Sequence, residues 1–237
     1  DFHNTVTQLS SIQQNLNLNV TQSVNQINQL TSQIAKYNQQ VASMQRLGQD
    51  AGTIEDQRNE LIRQLSEVTD ISVIQSDSGY TITTANGSAL VVGGQSFNLD
   101  TSLDSNGMRR VLAGGQDITS TLQGGSLGGY LQVRDQFLPG VLSSLDDLAD
   151  GLATNFNAAH QSGFDLSGNA GQQFFSAVSG AGAASSFSVL ITDPSQIAAS
   201  SDGSAGSNGN IAQMQAVQDQ LLPSGQKPLE SYSNIVF

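Results

Sequence analysis

The sequence predicts an α+β fold: a long-helix antiparallel bundle, coiled-coil-like, carrying an inserted small antiparallel β domain. Three observations carry that expectation. An apolar stripe of heptad period runs through the first forty-five residues, and a second runs from Leu127 to Asn155. Between them the apolar period falls to two, as a half-buried strand requires.

The first stripe comprises Phe2, Val6, Leu9, Gln13, Leu16, Val20, Ser23, Ile27, Leu30, Ile34, Tyr37, Val41 and Met44. Only Gln13 and Ser23 interrupt it, and each has an apolar neighbour, Ile12 or Val24. A seam held over about six heptads belongs to a coiled coil or bundle. Its flanks are unusual. Between Phe2 and Gln45 the one ionised side chain is Lys36, and the rest are mainly Asn, Gln, Ser and Thr. Such a helix cannot set its partner with Glu–Lys pairs. Amides and hydroxyls can instead bond to surrounding backbone at a lower desolvation cost than ions. Either the helix is surrounded, by its own chain or by other subunits, or the flank is an ordinary solvated face. Ile27 and Ile34 are expected at the centre of the seam.

Gly48 to Gly52 ends the rod, and Thr53 with Asp56 is placed to open a second helix as a capping box. Ile54, Leu61, Ile62, Leu65 and Val68 form its apolar face, with Glu60, Arg63 and Glu67 on the solvated side. Strands follow at Ile71–Val73, Tyr80–Thr83 and Ala89–Val92, with turns at Asp77-Ser78-Gly79 and Asn86-Gly87. Further strands at 109–112 and near Ile118 complete one antiparallel sheet of four or five strands. Arg109-Arg110, close to Asp100, Asp104 and Asp117, reads as locally balanced charge.

Gly124 to Gly129 lacks the order of a phosphate-binding loop and reads as the turn from sheet back to helix. In the return stripe Leu145 and Leu148 are seam residues, and Pro139-Gly140 should kink or split the helix. Arg134 stands where an apolar residue belongs, and a buried guanidinium demands a partner. A carboxylate from the segment 55–60, with Asp56 and Glu60 in reach, is the expected one. Asp146, Asp147 and Asp150 read as a solvated face. Residues 163–171 resemble a calcium loop only faintly, without the closing Glu. Residues 176–186 read as a flexible connector, 188–191 as a strand, and Asn208 as the cap of a helix through Leu221.

These elements divide the chain into helical parts at 1–69, 124–175 and 207–237. The β domain is 70–123, joined by a strand near 186–200. The start at Phe2 without a capping run, and the ending Asn234-Ile235-Val236-Phe237, predict a fragment of something longer.

Composition narrows the function. Eight basic residues stand against 20 acidic ones, a net charge of −12. That argues against binding phosphate backbones. No run of about 18 apolar residues exists to span a membrane. Without cysteine, and with only His3 and His160 as imidazoles, there is little material for a metal or catalytic cluster. No cofactor is expected. A glycan-binding or adhesive β unit is the alternative to a structural role, with Tyr80 and Phe97 as its aromatics; a hydrolase ranks last.

Several segments in order resemble the bacterial flagellar hook-associated proteins of the hook–filament junction. They are Asn25-Gln26-Ile27-Asn28, Asp56-Gln57-Arg58 with Glu60-Leu61, and Ala85-Asn86-Gly87 ahead of Leu90-Val91. Gly125 to Gly129 with Arg134 follows, then Gly163-Phe164-Asp165 leading to Phe174-Phe175, then Val189 to Asp193 with Ile197-Ala198. The resemblance implies an extracellular axial protein without catalysis. Its partners would be the flagellar hook protein, a second junction protein and copies of itself in a ring. An export chaperone would bind the full-length protein through terminal segments that are absent here.

Overall fold

The structure is a computed structural model and describes residues 2–76, 79–176 and 179–236. The chain forms two compact units, residues 12–137 and residues 1–11 with 138–237. The first helix, α1 (Phe2–Arg46), is continuous and contributes to both. Every position of its predicted seam is buried or half-buried, and Val20, Ile27 and Ile34 are fully enclosed.

In the unit of residues 12–137, α1 is followed by α2 (Gly52–Val68). Strands β1 (Ile71–Ser76), β2 (Gly79–Thr84), β3 (Ala89–Val92) and β4 (Gln95–Ser96) come next. Then follow β5 (Leu99–Leu103), β6 (Arg109–Ala113) and β7 (Gln116–Asp117). The returning helix starts as α3 (Gly125–Gln132). One core joins Val20, Val24, Ile27, Leu30 and Ile34 of α1 to Leu65, Ile82, Leu90, Val111, Leu127 and Leu131. The α1 stripe therefore closes on the sheets as well as on the return stripe.

The strands form two antiparallel sheets, β1-β2-β3-β4 and β5-β6-β7, where one sheet was expected. A register shift between Ile82 and Thr83 lets the consecutive Leu90 and Val91 both be buried, which strict alternation forbids. Residues 99–103 lack a β-branched or aromatic run, and their pairing with β6, not local propensity, makes them a strand. Residues 77 and 78 of the predicted turn lie outside the described residues.

The second helix is not opened by a Thr53 capping box. Ala51 occupies the N-cap without a side-chain bond, and Asp50 Oδ1 accepts from the Gly52 N–H at 2.9 Å. The glycines at 124–125 form a corner rather than a loose turn. A Cβ on Gly125 (φ +64°) would lie 2.4 Å from the Val68 carbonyl carbon. Helix α3 can meet the end of α2 because that atom is missing.

The return helix is interrupted, though upstream of the proline. Residues Val133–Phe137 wind as a π-helix before α4 (Leu138–Gln161). Pro139 has no N–H to give the carbonyl of Asp135, and the wider turn precedes it.

In the unit of residues 1–11 and 138–237, Phe2, Val6 and Leu9 pack around Leu145 and Ala149, again joining the two stripes. Leu148 is buried too. The predicted flexible connector is partly docked: α5 (Ala183–Ser186) buries Ala183 and Ala184 in this core. Asp146 Oδ2 accepts from the Gly182 N–H and its Oδ1 from the Ala184 N–H, both at 2.9 Å, so this acid is not a solvated one. No strand forms at 188–191 among the described residues. Val189 makes an isolated bridge to Phe175, and the stretch near 186–200 lies in the unit without the sheets. Helix α6 (Gly209–Ala216) stops before the predicted Leu221, which is exposed while Leu222 is buried. Helix α7 (Pro228–Val236) closes the chain.

Candidate functional site: amide clips and buried arginines

Helix α1 carries Asn17, Asn28 and Asn38, spaced by eleven and ten residues. About three helical turns separate each from the next, so they fall within roughly a quarter of the circumference. An amide holds a donor and an acceptor side by side, as an extended residue does with its N–H and C=O. Asn28 Nδ2 donates to the Leu99 carbonyl and its Oδ1 accepts from the Leu99 N–H, each at 2.8 Å. Asn17 donates to the Gly107 carbonyl at 3.0 Å and accepts from the Arg109 N–H at 2.6 Å. Asn38, wholly buried, donates to the carbonyls of Tyr80 (2.9 Å) and Gly93 (2.8 Å) and accepts from the Tyr80 N–H at 3.2 Å. Each clip behaves like one rung of a β ladder projected from a helix.

Two arginines are buried among these clips. Arg134, fully enclosed, is held bidentately by its neighbour Asp135, from Nε at 2.7 Å and Nη2 at 2.9 Å. Its Nη1 donates to Asn17 Oδ1 (3.0 Å) and to the Arg109 carbonyl (2.9 Å). The expected partner in the segment 55–60 is therefore corrected. Adjacent residues of an α-helix do not face one another, and the π-helical turn is where these two do. Asp56 is exposed on α2, and Glu60 pairs with Arg63 at 2.7 Å. Hydrogen bonding from Arg63 lowers the Glu60 carboxyl to about 2.

Arg58 enters the sequence reading only through the family resemblance, and its burial is not expected there. It is buried, donates from Nη1 to Asn38 Oδ1 at 3.2 Å and lies 4.1 Å over the Tyr80 ring. A signal was available: Ile54, Arg58, Leu61, Leu65 and Val68 step by four and three, so Arg58 occupies a seam position as Arg134 does. Tyr80 is thereby occupied, and a sugar-binding β unit loses one of its two aromatics. Arg110 pairs with Asp104 at 3.1 Å, the local balance expected there.

The unit with α4 uses the same device. Asn157 Oδ1 accepts from the N–H groups of Phe174 (2.8 Å) and Phe175 (2.9 Å). Asn210 donates to the carbonyls of Ala159 (3.0 Å) and Ala198 (2.7 Å). His160, fully buried, donates from Nδ1 to the Gln172 carbonyl at 2.7 Å and accepts at Nε2 from the Ala198 N–H at 2.9 Å. Both ring nitrogens thus hold backbone. Phe156, Phe174, Phe175 and Phe187 pack edge-on or tilted beside them. Among the described residues no group of three His, Asp or Glu could hold a metal ion. These side chains fasten segments of the chain together.

A family model described as the flagellar hook-associated protein FlgK helical domain matches residues 1–175. The chain belongs to that family. All three α1 clips and both buried arginines fall inside the FlgK-domain match. Among its relatives is flagellar hook-associated protein 1 of Escherichia coli K12, 35% identical over 171 residues, covering 68% of the chain and 31% of that protein. The protein of the same description from Bacillus subtilis 168 is 29% identical over 245 residues, covering 87% and 48%. The solved structure of the flagellar hook junction protein FlgK from Burkholderia pseudomallei superposes with a TM-score of 0.66 at 33% identity. It covers 74% of the chain and 33% of that structure. The chain thus spans about a third of the length of the first relatives it matches.

Proposed function

We propose that the chain is a structural part of the bacterial flagellum that joins hook to filament by subunit packing, without catalysis. Membership of the FlgK helical-domain family carries this reading. The geometry agrees with it, because the buried polar groups described above bind the chain to itself. In this reading the full-length protein sits outside the cell on the flagellum. It meets the hook protein on one side, a second junction protein on the other and its own copies around a ring, and an export chaperone escorts it. The residues that keep the part rigid are Arg134 on Asp135, Ile27 and Ile34 in one core, and Leu145 and Leu148 in the other.

The test is complementation. A motile bacterium lacking its own hook-associated protein 1 is given the full-length protein that contains this chain. Filaments and swimming should return, with the protein at hook tips by immunogold microscopy. Ile27→Asp, which places a charge in the sealed core, should abolish both. Export of the unaltered protein without its appearance at hook tips would overturn the reading.

A further inference from the structure

The chain contains three Asn-Gly pairs, at 86–87, 106–107 and 208–209. In such a pair no Cβ shields the glycine nitrogen, which can approach the asparagine side-chain carbon. All three asparagines are exposed, so accessibility does not separate them. Hydrogen bonding does. At the first pair the Gly87 N–H donates to the Thr84 carbonyl at 2.9 Å. Asn86 Oδ1 accepts from the Thr84 hydroxyl and from the Ser88 N–H at 3.3 Å. At the second, the Gly107 N–H donates to the Asp104 carbonyl at 3.1 Å and the Gly107 carbonyl accepts from Asn17. The Asn106 and Met108 N–H groups on either side both donate to Asp104 Oδ1 at 2.9 Å. The third pair is untied. Asn208 holds the N-cap of α6 without a side-chain bond, and Gly209 opens the helix, where an N–H has no carbonyl behind it. Among the described residues neither the Asn208 amide nor the Gly209 N–H has a partner.

We propose that Asn208 is a site of spontaneous deamidation, and that the isoaspartate formed there unfastens α6. The Gly209 nitrogen attacks Cγ of Asn208, and the new C–N bond closes a five-membered succinimide. The Cγ–Nδ2 bond breaks, and ammonia leaves with the proton that Gly209 gives up. Water then opens either carbonyl of the ring, leaving aspartate or isoaspartate and an added negative charge. Closing the ring turns the 208 peptide and opens the first turn of α6, where the Ile211 N–H donates to the Asn208 carbonyl at 3.1 Å. The other two pairs must release more bonds before the nitrogen is available. Isoaspartate inserts a methylene into the main chain at 208. Two residues on, the wholly buried Asn210 donates from its side chain to the Ala159 and Ala198 carbonyls and from its N–H to the Ala199 carbonyl. The added atom shifts the start of α6 against those fixed partners.

The intact chain is incubated in mildly alkaline buffer, folded or unfolded in urea, and each pair is followed by tandem mass spectrometry of peptide digests. Every further bond that must open slows ring closure, so in the folded chain Asn208 should convert at least about tenfold faster than Asn86 or Asn106. In urea the three rates should converge. Asn86 or Asn106 keeping pace with Asn208 in the folded chain, or Asn208 leading by the same factor in urea, overturns the site. Chain carrying isoaspartate at 208 should show faster amide hydrogen exchange across residues 209–216. Asn208→Asp, which adds the charge without the methylene, should not. Exchange unchanged by isoaspartate, or raised equally by Asn208→Asp, overturns the unfastening of α6.

Discussion

At the scale of single residues, asparagine does most of the fastening. Asn17, Asn28 and Asn38 each grip strand backbone from a helix, and in the other unit Asn157 grips loop backbone while Asn210 ties the end of α4 to the loop at Ala198. An aspartate in their place would lose the donor and bury a charge; a leucine would leave backbone groups unpaired. Asn38→Leu strands the Tyr80 N–H, the Gly93 carbonyl and a bond from Arg58. It should cost about 1–3 kcal/mol in urea unfolding, whereas the exposed Asn25→Leu should change stability by less than about 0.5 kcal/mol. The sequence showed amide enrichment on α1 and left open whether that helix is surrounded or presents a solvated face. Which amides point inward was hidden, because Asn28 and the exposed Asn25 are alike in composition and differ only in what their neighbours bring.

At the scale of elements, the two heptad stripes were legible because a seam needs only its own period. Arg134 was legible as an oddity in a seam, and its burial with a partner follows from the cost of an unpaired guanidinium. The identity of that partner was not legible, since Asp135 becomes reachable only through the π-helical turn. The corner between α2 and α3 also has a sequence signature, a glycine run, whose meaning needs the contact. Gly125→Ala combines a left-handed φ with a Cβ against the Val68 backbone. It should lower stability by at least about 2 kcal/mol. Gly129→Ala, on α3 with open space beyond it, should be neutral or stabilising by up to about 1 kcal/mol. Thermal or urea unfolding of the pair reads the difference.

At the scale of the whole molecule, charge is sparse and mostly negative, and many carboxylates are tied to backbone. Asp165 is held below the ordinary carboxylate value by the Asn169 N–H, Asp104 by that of Met108 and Asp202 by that of Ser204. Hydrogen bonds from Arg63 and Gln64 draw the Glu60 carboxyl down to about 2. A carboxyl depressed in the folded state stabilises it at pH values above its unfolded value, and that contribution is lost as pH falls through the folded one. Stability should be flat from about pH 8 to 5 and decline from about pH 4 toward 2. A series of thermal midpoints against pH checks this. Asp165→Asn should flatten part of the acid limb; a decline confined to the range above pH 5 would contradict the assignment.

Read alone, the chain determined the heptad rods, the switch to period two, the scarcity of catalytic material and the likeness to the flagellar hook-associated proteins. Periodicity and composition are local properties, and they survive without knowledge of what lies opposite. Tertiary structure decided the rest: two sheets in place of one, the docking of 183–186 beneath Asp146, Asp135 as the partner of Arg134, and Arg58 over Tyr80. Each of these depends on which groups meet across long stretches of chain, and a hydrogen bond or ion pair goes to the partner that geometry delivers.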